Sequence, residues 1–276
     1  GYNGVKNAQK RYEGKAKITY IENVKFGDME QALVALASKN DLVIGCGGQT
    51  QASVLKVAKR FPKVKFSIVG PTGTPTENVA QYDVLQAQIG FVAGAVAAML
   101  SKNGAVSYVG GMEIPAIVNT GKEFGNGARY VRPDIKYFDA YTGDFDDVAK
   151  AKEATLAAIA QGADVHYNIL NLGIRGMEQA AREKNTKLIG SYANYCADAN
   201  PLYIAYTVSG IGFMVEYAID QMMAGTWKPE YKQFGLAMGP SSAGMEVCGG
   251  GTPQMVAKIK EIQGDLLAGK IKVAIG

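Results

Sequence analysis

Gly110-Gly111-Met112-Glu113-Ile114-Pro115, continuing through Gly127 to Tyr130-Val131-Arg132-Pro133-Asp134-Ile135 and Tyr141-Thr142-Gly143-Asp144-Phe145-Asp146, is the stretch that decides the fold. A glycine pair and a turn proline separate an apolar strand at 106–109 from a helix at 115–131. A second strand is expected at 135–141, a second helix at 147–161 and a third strand at 165–169. This alternation is the rhythm of an α/β protein built on parallel sheets flanked by helices.

The same rhythm extends outward in both directions. Residues 17–22 (KITYIE) are β-rich and lead to Asp28, an N-cap for a helix through Met29, Leu33, Leu36 and Ala37. Leu42-Val43-Ile44 is a short apolar run closed by Gly45-Cys46-Gly47-Gly48, which suits a buried parallel strand. A helix at 51–61, strands at 64–69 and 79–85 and a helix at 89–100 fill the gap to the central stretch. Beyond it the alternation resumes at 176–184, 188–191, 203–208 and 211–224. A closing helix at 253–272 turns Met255, Ile259, Ile262, Leu266 and Leu267 inward.

At 276 residues the chain is long for one compact core, so two similar-sized lobes are expected. Hydrophobic content of 47% and charged content of 20% mark it as globular rather than disordered. The densest basic cluster (Lys56, Lys59, Arg60, Lys63, Lys65) has only Phe61 and Phe66 interleaved, and reads as a solvated helix face rather than a nucleic-acid stripe. The longest apolar run, 89–100, carries Gly90 and Gly94 and falls well short of the ~20 residues that span a bilayer, so it is a buried helix. The chain opens on Gly1 with no secretory n-region, h-region or cleavage site, so any leader was removed or never included. Cys46, Cys196 and Cys248 lie far apart, and His166 is the only histidine, so no metal is expected. Either one cysteine pair forms or all three are small buried thiols, the second being favoured.

The central stretch, with Asp41-Leu42-Val43-Ile44-Gly45 and residues 57–66 before it and Gln161-Gly162-Ala163-Asp164-Val165 after it, resembles the core signature of the basic membrane protein family, purine-nucleoside-receptor type solute-binding proteins of ABC importers. The resemblance implies a two-lobed type I periplasmic-binding-protein fold with a ligand cleft between lobes and no chemistry of its own. It also implies an ABC permease partner, a periplasmic or otherwise extracytoplasmic location, and membrane contact only through the permease or a lipid anchor. No cofactor is expected. The lobes would be 1–85 with 208–232 and 86–207 with 233–276, the chain crossing near 85, 206–209 and 233–236. Members of the family open with a central strand just before an aromatic-Asn pair. Here that pair looks like Tyr2-Asn3, so the first strand is expected to be missing from the chain.

Ligands of open α/β sheets settle beyond the carboxyl ends of the strands. The loops expected there carry Tyr2, Asn3, Gln49 and Gly70-Pro71-Thr72 from the first lobe. From the second they carry Gln86, Met112, Phe145, Asn168, Asn171, Tyr192, Asn194 and Tyr195. Aromatics beside neutral amides suit a flat heteroaromatic ring, since π-faces supply burial and carboxamides match edge donors and acceptors. Gly45-x-Gly47-Gly48 is an incomplete phosphate fingerprint and is better explained by a tight turn. The family's nucleoside receptors resemble one another in an Asp-x-Asp and a lysine, where this chain has Tyr192-Ala193-Asn194 and Ser209; a free base is therefore expected over a riboside. An enzyme is the first rival, disfavoured by the absence of a nucleophile elbow and by Asp144, Asp146 and Asp147 standing at a helix start. A sensor of the same fold is the second.

Overall fold

The computed structural model describes every residue except Asn23, Pro71, Thr72, Asp198, Ala199, Ile275 and Gly276. In chain order its elements are α1 (Tyr2–Arg11), α2 (Met29–Ala37), β1 (Leu42–Cys46), α3 (Gln51–Ala58), β2 (Lys65–Val69) and β3 (Val79–Val84). Next come α4 (Gln86–Leu100), β4 (Ala105–Gly110), α5 (Pro115–Val131), β5 (Lys136–Tyr141), α6 (Val148–Ala160), β6 (Val165–Ile169) and α7 (Ile174–Lys184). The chain finishes with β7 (Lys187–Ser191), β8 (Tyr203–Ser209), α8 (Ile211–Met223), β9 (Tyr231–Phe234), β10 (Ala243–Val247) and α9 (Pro253–Leu267). These elements form two compact units: Gly1–Val84 with Gly210–Phe234, and Leu85–Ser209 with Gly235–Gly276.

Unit 1 is built on a four-stranded sheet in the order β1-β2-β3-β9, parallel throughout. Its core packs Leu33 of α2 and Val54 and Val57 of α3 on Val43, Phe66, Ile68 and Val79 of the strands. Helix α1 lies against α8 at a backbone approach that only glycine permits, since a Cβ on Gly4 would stand 2.2 Å from the Gly212 carbonyl oxygen. Residues 17–22, expected as a strand, form no regular element, and β1 has a ladder partner on only one side among the described residues. β-Propensity marks a side-chain pattern, whereas a strand exists only where a neighbour accepts its backbone bonds.

Unit 2 carries a six-stranded sheet in the order β10-β8-β7-β6-β4-β5. The expected parallel pairing holds for β8-β7-β6-β4-β5, and β10 adds an antiparallel edge on β8. Helix α4 is the expected apolar run, buried almost all round because it lies between the sheet and α5. A Cβ on Gly94 would come within 1.8 Å of the Phe124 carbonyl oxygen, and one on Gly127 within 1.9 Å of that of Phe91. The closing helix ends earlier than expected: Ile259, Ile262 and Leu266 are buried but Leu267 is exposed. Cys196 and Cys248 form a disulfide with Cα atoms 5.2 Å apart, and Cys46 is a free, exposed cysteine. The reading of three buried thiols is therefore corrected: two cysteines 52 residues apart meet because β7 and β10 flank the same strand, β8.

Candidate functional site

At the carboxyl ends of β4, β5 and β6, unit 2 builds a small platform around Phe145. Its ring lies on Gly111, where a Cβ would fall 2.1 Å from Cδ1, so the glycine pair after β4 is a seat for an aromatic ring. The Phe145 carbonyl accepts from Asn171 N at 2.9 Å and Gly173 N at 3.1 Å, fixing the loop after β6 to the loop after β5. Thr142 Oγ1 ties the loop after β5 to the loop after β4, with the carbonyls of Gly111, at 3.2 Å, and Asp144 as its acceptors. Asp147 caps α6 by accepting from Lys150 N at 2.9 Å, the role expected of acids at this helix start. Met112 and the side chain of Asn171 are left exposed beside the platform.

A second group lies at the ends of β7 and β8. Tyr192 follows the last residue of β7 with φ at 68°, a left-handed conformation that a residue with a Cβ rarely holds. The residue is 41% exposed, and its hydroxyl accepts from Gln86 Nε2 at 2.9 Å. Burial of that hydroxyl pushes its pKa up to about 12, so it stays protonated at neutral pH. Gln86 is the first residue of α4 and reaches Tyr192 across 106 residues of sequence.

Three amides expected to face a ligand are placed differently from one another. Asn168 sits within β6 rather than in a loop, wholly buried, with Nδ2 donating to the Ile189 carbonyl at 3.3 Å and Oδ1 accepting from Ser191 at 3.3 Å. It braces β6 against β7. Asn194 Oδ1 accepts from Cys196 N at 3.0 Å, the turn-forming role of a loop asparagine. Asn171 keeps its carboxamide free of hydrogen bonds among the described residues. Tyr195 packs on Gly190 and stacks on Tyr203 with centroids 4.2 Å apart, so it belongs to the core of unit 2.

In unit 1, Tyr2 and Asn3 occupy the first turn of α1 instead of the expected loop. That turn stands at the carboxyl end of β1, since a Cβ on Gly1 would lie 3.2 Å from Cys46 Sγ. The Tyr2 ring meets Tyr20 edge to face at 5.5 Å, with Lys6 Nζ 5.3 Å from both rings. Gln49 is exposed in the 3₁₀ turn after β1, its carboxamide folded over Gly47, whose φ of 96° requires glycine. Pro71 and Thr72 lie outside the described residues.

One polar residue at a strand end escaped the sequence reading. Asp83 in β3 is buried and accepts from Val84 N at 2.8 Å and Tyr231 Oη at 3.2 Å. Burial holds its carboxyl above the usual range. The signal was present as a single acid inside the otherwise uncharged run VAQYDV. Among the described residues no group of His, Cys, Asp and Glu has the arrangement of a metal site, and no helix is long and apolar enough to cross a membrane.

The chain is 29% identical over 231 residues to a purine-binding protein of Brucella abortus, which covers 82% of this chain and 64% of that protein. It is 26% identical over 255 residues to the ABC transporter nucleoside-binding protein BmpA of Lactococcus lactis, covering 84% of this chain and 70% of that protein. The matched part thus spans about two thirds of these curated relatives. Its fold matches that of an ABC transporter solute-binding protein from Conexibacter woesei with a TM-score of 0.79 at 24% identity, over 99% of this chain and 93% of the other. The family described as ABC transporter substrate-binding protein PnrA-like matches residues 1–240, and the chain belongs to that family.

Proposed function

We propose that this chain is the extracytoplasmic solute-capturing component of an ABC importer, that it binds a neutral purine-like ring, and that it hands the ring unchanged to a permease. Units 1 and 2 are the two lobes of this binder, and the membrane is reached only through the permease or a lipid anchor. The observation that carries the reading is that the strand ends of unit 2 carry two aromatic-amide groups, Phe145 on its glycine seat with Asn171 after β5 and β6, and Tyr192 bonded to Gln86 after β7. Aromatic contacts of ~0.5–1.5 kcal/mol per pair bury the faces of a flat ring, and carboxamides satisfy its edges. The similarity to a purine-binding protein of Brucella and a nucleoside-binding protein of Lactococcus supports the ligand class. The Cys196–Cys248 bridge supports an oxidising compartment.

Within that class the free base is preferred to its riboside. Where the family resemblance places charged residues, this chain has Tyr192, Asn194 and Ser209, and the Asn194 oxygen is already taken by Cys196 N. Ribose hydroxyls buried without partners would cost ~1–3 kcal/mol each. That amounts to about tenfold or more in affinity, at ~1.4 kcal/mol per decade. Competition between adenine and adenosine, and between guanine and guanosine, is the test. The bases are expected to win, and tighter riboside binding in both pairs overturns the preference. Mass spectrometry of whatever the denatured protein releases checks the ligand class itself.

A further inference from the structure

Three buried side-chain oxygens have no hydrogen-bond partner among the described residues: Gln86 Oε1, Ser209 Oγ and Ser242 Oγ. Two of them gather at one end of the unit 2 sheet. Gln86 is bonded to Tyr192, which follows Ser191 at the end of β7; Ser191 pairs with Thr207 of β8, and Ser209 is the last residue of that strand. Folded proteins leave few buried acceptors unpaired, because each forfeits its bonds to water. Tyr192 adds backbone strain at the same place, with its φ of 68°. Neither feature serves the ladder, whose last β7–β8 rung lies before both. Unpaired polar atoms and strain that coincide beyond a strand end are a mark of a site made for something else.

The direction of the Gln86–Tyr192 bond sets the chemistry. Because the Tyr192 oxygen accepts from Gln86 Nε2, its own proton is free to be donated elsewhere. Gln86 Oε1, on the same carboxamide, is free to accept. The pair thus holds one acceptor and one donor side by side, on the start of α4 and the end of β7.

We propose that Gln86 Oε1 and the Tyr192 hydroxyl together read one edge of the ligand, accepting from an N–H and donating to the lone pair beside it. Adenine offers this doublet as its exocyclic amine next to a ring nitrogen, and hypoxanthine as its ring N–H next to the 6-oxygen. The inference rests on the purine reading above and goes beyond it by assigning the atoms that recognise the edge.

Titration of adenine and hypoxanthine into the wild type, Gln86→Leu, Tyr192→Phe and the double variant tests it, alongside melting of each ligand-free protein. Each single variant is expected to bind roughly tenfold to hundredfold more weakly. The double variant should lose less than the product of the two, since both groups hold one edge. Ligand-free Gln86→Leu should melt close to the wild type, because the substitution removes an unpaired acceptor together with the bond to Tyr192. If the wild type binds either base and both single variants bind it equally well, the edge assignment is wrong while the ligand class stands. A wild type that binds neither base overturns the ligand class and the proposal with it. Weaker binding accompanied by a matching loss of ligand-free stability in both variants would assign the pair a structural role and also overturn the proposal.

Discussion

His166 is wholly buried in β6, its Nδ1 2.7 Å from Ser107 Oγ and its Nε2 3.1 Å from Thr186 Oγ1. Burial lowers its pKa to about 4 against the opposing pull of Asp164. The unfolded chain takes up a proton near pH 6.5 that the folded protein refuses until about pH 4, so this contribution to stability is full above pH 6.5 and declines as the pH falls toward 4. At pH 5 the loss is about 2 kcal/mol, at ~1.36 kcal/mol per pH unit. Urea midpoints at pH 7 and 5 should show it, and His166→Gln should flatten the difference; an equal slope in the variant would assign the effect to other groups. Phe145 is the residue whose truncation should weaken ligand binding most selectively. Its main-chain bonds to Asn171 and Gly173 survive in Phe145→Ala, so the fold persists while ring burial and stacking are lost. Calorimetry with adenine should show binding weaker by ~1–3 kcal/mol, and unchanged affinity would remove Phe145 from the site.

Helices α4 and α5 meet backbone to backbone, and the contact depends on glycine rather than on large apolar side chains. Gly94→Ala is expected to cost ~1–3 kcal/mol, because the new methyl group cannot avoid the Phe124 carbonyl without moving a helix. Gly264→Ala in α9 meets nothing within 4 Å and should be neutral or gain ~0.5–1 kcal/mol. The denaturant midpoint of Gly94→Ala should fall, while that of Gly264→Ala should hold or rise. The link between the segments after β7 and β10 is covalent. Opening the Cys196–Cys248 bridge, which closes 52 residues of chain, should cost about 4 kcal/mol through the unfolded state. Comparing the wild type with Cys248→Ser, both under non-reducing conditions, measures it, and an unchanged midpoint would mean the bridge leaves the unfolded chain unconstrained.

As a whole the molecule should behave as a receptor. Adenine at a hundredfold excess over its dissociation constant should stabilise it by ~2.7 kcal/mol and be recovered chemically unchanged; conversion to product would contradict the transport reading. The α/β alternation was legible in the sequence because buried parallel strands are short apolar runs and each helix carries its own period, both of them local patterns. The short apolar length of α4 and the N-capping role of Asp147 were legible for the same reason. What needs a distant partner was not. Residues 17–22 have a strand's composition but no ladder neighbour, whereas β10 has little of that composition and became a strand by pairing with β8. Asn168, Asn171 and Asn194 look alike in sequence, yet one braces two strands, one remains open to solvent and one forms a turn. Gln86 and Tyr192, 106 residues apart, and the two bridged cysteines were brought together only by tertiary structure. Composition and period act over a few residues, while burial and hydrogen-bond partners are set by which strands lie side by side.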